Sequence, residues 1–108
     1  MTQAIYHGLR DPDDTLSNSV WVTRDGAKSQ LPLCLDLRNH SPTGFEWGYT
    51  GSGPAQLALA LLDNVVGSKL ALKHYMSYKN EVVARLPKQG WTITESTILD
   101  FINRKEQA

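Results

Sequence analysis

Tyr49-Thr50-Gly51-Ser52-Gly53-Pro54-Ala55-Gln56-Leu57-Ala58-Leu59-Ala60-Leu61-Leu62-Asp63-Asn64-Val65-Val66-Gly67 is the stretch on which the fold turns. Before it, apolar residues come in short β-branched and aromatic runs; after it they recur at helical spacing. Pro54 suits the first helical position, with Gly53 or Ser52 as the cap. At about 100° per residue, the helix from Ala55 to Val66 has a narrow polar side of Gln56, Asp63 and Asn64. Leu57, Ala58, Leu59, Leu61, Leu62, Val65 and Val66 cover more than half its circumference. A helix this apolar is buried against a sheet and a second element besides. Gly67 ends it as the C′ residue.

Towards the N-terminus, Ala4–Leu9 carries Ile5, Tyr6 and Leu9 and reads as a first strand, broken by Asp11-Pro12-Asp13-Asp14. Val20-Trp21-Val22-Thr23 reads as a second, and Asp25-Gly26 as the turn beyond it. Leu31, Leu33, Leu35 and Leu37 alternate with Pro32, Cys34, Asp36 and Arg38, so the period of two predicts a half-buried strand with Pro32 near its start or on an edge. Cys34 is expected there as a buried thiol acting as a small hydrophobe. A loop, Asn39–Gly44, precedes a short strand, Phe45–Tyr49.

Towards the C-terminus, a second helix is expected over Leu70–Leu86. Its apolar face holds Leu72, Tyr75, Tyr78, Val82, Val83 and Leu86, and Lys79 projects into that arc, its stem lying over apolar surface to reach water or, in the alternative, its ammonium buried and functional. Lys73, His74, Ser77, Asn80, Glu81 and Arg85 fall on the other face, with His74 solvated. Pro87 stops this helix, Trp91–Thr94 is extended, and Thr94 or Ser96 caps a terminal helix bearing Ile98, Leu99, Phe101 and Ile102. The expected fold is α+β: a small antiparallel sheet from the N-terminal half, packed by the buried central helix, a second amphipathic helix and a short C-terminal helix.

The chain has 108 residues, which fits one domain, and 11 Lys+Arg balance 11 Asp+Glu. That balance argues against coating DNA or membrane by bulk electrostatics. It hides a gradient, however. Residues 1–36 hold Asp11, Asp13, Asp14, Asp25 and Asp36 against Arg10, Arg24 and Lys28; residues 69–88 hold Lys69, Lys73, Lys79, Arg85 and Lys88 against Glu81. With one cysteine and scattered His7, His40 and His74, neither a disulfide nor a metal site is expected, and no cofactor. The start has no signal-peptide pattern, and Leu57–Leu62 is far shorter than the ~20 residues of a membrane span, so a cytoplasmic location is expected.

Residues 35–62 contain Leu37-Arg38-Asn39-His40-Ser41-Pro42-Thr43-Gly44-Phe45-Glu46-Trp47-Gly48-Tyr49 and then Gly51-Ser52-Gly53-Pro54-Ala55-Gln56 leading into the leucine-alanine run. This pattern resembles a family of small domains of unknown function found in bacteria, phages and plasmids. Tyr75, Tyr78-Lys79, Val82–Pro87 and Trp91 resemble the family's second half, so the likeness covers most of residues 31–105, with residues 1–30 matching less clearly. It implies a fold and a mobile-element context but no chemistry.

Three sets of side chains are candidates. Gly51, Ser52 and Gly53 at a helix start suit an anion, although neither phosphate-loop fingerprint is present and the glycines equally serve a tight turn. Arg38, His40 and Ser41 form a candidate loop site in which His40 and Ser41 equally serve to hold the turn. Asp11, Asp13 and Asp14 on one side and Lys73, Lys79 and Arg85 on the other are candidate interaction residues. No catalytic set emerges. The leading expectation is a non-enzymatic interaction protein of a mobile element, in its sharpest form an anti-CRISPR-type inhibitor binding a host protein or nucleoprotein complex. One alternative is an anion- or nucleotide-binding module or enzyme built on Gly51–Gly53 and His40; another is a weak DNA-binding accessory protein using Lys69–Lys88.

Overall fold

A computed structural model describes residues 3–10, 18–42 and 44–108, Asn18 in its backbone alone. Its elements are β1 (Ile5–Arg10), β2 (Asn18–Arg24), β3 (Ala27–Gln30), α1 (Ser52–Val66), α2 (Ser68–Glu81), a 3₁₀ turn at Val83–Arg85, β4 (Gly90–Thr94) and α3 (Glu95–Gln107). The fold is α+β, as expected. Asp25 and Gly26 both take positive φ (54° and 80°), the backbone of a two-residue hairpin, and they join β2 to β3. The sheet is antiparallel throughout, in the order β3-β2-β1-β4.

The fourth strand is where this sheet exceeds the N-terminal half. Trp91–Thr94 is not merely extended: Gly8 pairs with Trp91 and Tyr6 with Ile93. Gly8 is required there, because a Cβ would lie 2.3 Å from the Trp91 ring. Tyr6, Val20, Val22, Trp91 and Ile93 form the buried face of the sheet.

Against that face lies α1, buried on every side from Gly53 to Leu62. The Tyr6 hydroxyl donates to Asn64 Oδ1 at 2.6 Å, tying β1 to the end of this helix. Burial pushes the Tyr6 phenol up to about 12. Gly67 (φ 85°) ends α1, its N–H donating to the Asp63 carbonyl, and its own carbonyl accepts from Ala71 to start α2. For α3 the cap is Thr94, whose Oγ1 accepts from the Thr97 N–H. The Glu95 carboxylate accepts from the Ala4 N–H at 2.9 Å, while the Glu95 N–H donates to the Ala4 carbonyl.

Five expectations need correction. Residues 31–37 are not a strand: Cys34 has φ 60°, and the Leu37 and Arg38 N–H groups both donate to its carbonyl, which closes a turn. The leucines alternate because a folded loop packs several of them on the core, not because a neighbouring strand pairs with them. Residues 45–49 are likewise not a strand. Phe45 and Trp47 are buried and Glu46 lies between them, but Gly48 (φ 85°) turns the segment so that its N–H meets the Val83 carbonyl. α2 stops at Glu81 instead of Leu86, its last turn giving way to the 3₁₀ turn before Pro87. His74 is buried, and Cys34 is only partly so.

Candidate functional site

The motif-rich segment folds over the start of α1, and Gln56 organises it. This side chain is fully buried. Its Oε1 accepts from the His40 N–H at 2.7 Å and the Ser41 N–H at 3.1 Å, and its Nε2 donates to the Leu33 and Arg38 carbonyls. A carboxamide has two donors and two lone pairs. All four are used, on four backbone groups of one loop.

His40 and Ser41 then diverge. His40 Nε2 lies 2.9 Å from the Tyr75 hydroxyl, fastening the loop to α2. Ser41 Oγ donates to the Gly44 carbonyl at 2.6 Å, closing the turn. The hydrogen bond between nucleophile and base that a catalytic set requires is not made between them. Arg38 is exposed, its guanidinium donating to the neighbouring Leu37 carbonyl.

At the helix start, packing accounts for both glycines. A Cβ on Gly53 would lie 2.5 Å from Glu46 Cβ, and one on Gly51 would lie 2.8 Å from the Tyr49 ring. The side chain nearest Gly53 thus belongs to a carboxylate, the wrong sign for a neighbouring anion. Glu46 is itself engaged by Arg10 (2.6 Å), whose guanidinium also lies 5.2 Å from the Trp47 ring centroid and donates to the Lys88 carbonyl. Ser52 is exposed and makes no capping bond.

The candidate interaction residues do not gather. Asp11, Asp13 and Asp14 lie outside the described residues. Lys73 pairs with Glu106 at 2.8 Å, whereas Lys79, six positions on and so about 240° around the helix, is half-buried. Arg85 is exposed on the 3₁₀ turn. Glu106 also accepts from His74 Nε2 at 2.6 Å, which is how a histidine on the side of α2 read as solvated comes to be covered by α3. The Lys73 ammonium first, and His74 next, hold the Glu106 carboxyl below its usual range.

Cys34 Sγ donates to Asp63 Oδ2 at 3.4 Å, and burial together with that carboxylate pushes the thiol up to about 11. Protonated at neutral pH, it is a poor nucleophile. Among the described residues, no group of three or more His, Cys, Asp or Glu is placed to hold a metal ion, and no helix is long and apolar enough to cross a membrane.

A family model, a family of unknown function (DUF6166), matches residues 6–104, from within β1 to within α3. The chain belongs to the DUF6166 family. That match carries the likeness through the N-terminal strands, further than the motif over residues 31–105 suggested. No curated protein and no solved structure matches this DUF6166 chain. Sequence reasoning missed two features of it. Gln56 was placed merely on the polar side of α1, although a lone carboxamide among buried neighbours was itself a signal of backbone partners. The outward cluster of His7, Trp21 and Lys28 had no local signal, since its members meet only once β1, β2 and β3 are in register.

Proposed function

We propose that this chain is a non-enzymatic interaction protein, recognising a partner protein and carrying out no chemistry of its own. The observation that carries the reading is the Gln56 latch: the motif's most chemically suggestive loop is held by bonds to its own backbone, with His40 and Ser41 each turned to a separate structural partner. The phage and plasmid setting implied by the sequence resemblance gives the reading its sharpest form. There the partner is a host defence protein or nucleoprotein complex, and the chain inhibits it sterically, as an anti-CRISPR protein would.

Affinity-tagged protein in lysate of a susceptible host tests this. A stoichiometric partner that survives washing is expected, and repeated failure to retain any partner contradicts the reading. The rival use of Gly51–Gly53 as a nucleotide or anion site predicts a rise in melting midpoint with a nucleotide panel, lost on Gly53→Asp. No rise is expected. Direct DNA binding through Lys69–Lys88 predicts affinity falling steeply with salt. With Lys73 paired to Glu106 and Lys79 half-buried, neither appreciable affinity nor such a slope is expected.

A further inference from the structure

One face of the sheet packs on α1 and the other lies open. Strand alternation places Ile5, His7 and Leu9 of β1, Ser19, Trp21 and Thr23 of β2, Lys28 and Gln30 of β3, and Thr92 of β4 on the open side. One row crosses all four strands. His7 pairs with both Thr92 and Trp21, and Trp21 pairs with Gln30. The His7 and Trp21 rings stack with centroids 5.3 Å apart and planes 19° apart, and Lys28 Nζ lies 4.4 Å from the Trp21 centroid.

Beside this row the surface is hollow. A depression of about 420 Å³ is lined by His7, Leu9, Trp21, Gly90 and Thr92; another of about 810 Å³ is lined by Leu9, Trp21, Lys28 and Gln30 and continues past the sheet edge to Leu31, Gly44 and Phe45. They share Leu9 and Trp21, so together they make a trough that crosses the sheet and runs over its edge towards the 31–45 loop. Leu9 is 54 % exposed in it, more than any other large apolar side chain among the described residues. Gly90 pairs opposite Leu9, and a Cβ there would lie 3.0 Å from the Gly8 carbonyl oxygen and 3.5 Å from Leu9 Cδ1. The absence of that Cβ keeps the floor low.

Charge and ring geometry select the occupant. Among the described residues, Lys28 is the one formally charged side chain that lines the trough, and none of them brings a carboxylate to it. Its ammonium is held over an indole and so already oriented. A second copy packed face to face would bring two Lys28 ammoniums into one interface with no carboxylate among the described lining residues to pair with them. Nucleic acid fits poorly too. Base stacking needs a free ring face, whereas His7 and Lys28 reach Trp21 from the strands on either side of β2. Nor does one lysine supply the several phosphate contacts on which such binding depends.

We propose that the trough takes an extended, mostly apolar segment of a partner protein, with one carboxylate on that segment pairing with Lys28; this rests on the interaction reading above. Apolar side chains of the segment cover Leu9 and the Trp21 ring edge, and the carboxylate meets the ammonium at the β3 side.

The test is an NMR titration of the ¹⁵N-labelled full chain with three probes: a short peptide of alternating valine and threonine around a central glutamate, the same peptide with lysine there, and oligothymidine. The glutamate peptide is expected to move the Trp21 indole signal and the Leu9 and Lys28 amides, leaving Met76 and Leu99 on the helices unmoved. Lys28→Glu, on an exposed edge strand, should melt as wild type, weaken the glutamate peptide by about tenfold or more and accept the lysine peptide instead. Absence of shifts at Trp21, Leu9 and Lys28, or equal or tighter binding of the lysine peptide or oligothymidine to wild type, overturns the proposal. Partner capture separates it from the function it rests on. If wild type and Lys28→Glu capture the same partner equally, the trough is wrong and the interaction reading stands; if wild type captures none, that reading falls while the titration still judges the trough.

Discussion

Between Leu33 and Gln56, the groups that attract notice in the sequence have partners inside the molecule. The Leu33 and Arg38 carbonyls and the His40 and Ser41 N–H groups meet Gln56, the His40 ring meets Tyr75, and the Ser41 hydroxyl meets Gly44. The open sheet face is the reverse. It carries no motif, yet it leaves Leu9 exposed and an indole edge and an ammonium facing outward. The distinctive run of residue types therefore marks a segment whose polar groups are spent on its own fold, and under the proposed reading recognition falls to the open sheet face instead. Substitutions on the two sides should separate stability from recognition.

The largest loss of stability is expected at Gln56. Gln56→Leu keeps the volume but strands two N–H groups and two carbonyls, a cost of about 3 kcal/mol or more, read as a lower urea midpoint. Gly53→Ala comes next: the new Cβ at 2.5 Å from Glu46 Cβ forces the 45–49 segment away from α1, for about 2 kcal/mol by the same measurement. Tyr75→Phe removes only the hydroxyl that meets His40, costing about 1 kcal/mol.

Smaller again is the clasp between α2 and α3. The Glu106 carboxyl is held below its ordinary value of 4.5 in the folded chain, so its contribution is complete above that value and is lost as pH falls through the folded one. The gap in urea midpoint between wild type and Glu106→Gln should close on acidification below about pH 4.5; a gap that widens there contradicts the assignment. Lys28→Glu should do least to the fold, within about 0.5 kcal/mol, while abolishing partner capture. A large loss of stability there, or unchanged capture, would erase the contrast between the two regions.

What could be read from the sequence was local. The Asp25-Gly26 turn, the end of α1 at Gly67 and the Thr94 cap of α3 each depend on residues a few positions apart, whereas α1 starts earlier than expected, capped by Gly51. What escaped depended on distant partners. The alternating leucines of 31–37 mimic a strand, but the Leu33 and Arg38 carbonyls that a strand would offer to a neighbour go instead to Gln56. His74 looked solvated on its own helix because Glu106, which covers it, is 32 residues away. Trp91–Thr94 joins the sheet through β1, at the other end of the chain. What holds the candidate loop residues is visible only once α1 and α2 are set beside them.

Hydrogen exchange on the captured complex tests the central claim most directly. With partner bound, the amides of β1, β2 and β3 should gain protection, while those of residues 38–42 and 46–53, outside the trough and held by the Gln56 latch or packed on α1, should change little. Protection confined to residues 38–53, with the sheet unchanged, would show that the motif segment is the binding surface after all and contradict the account.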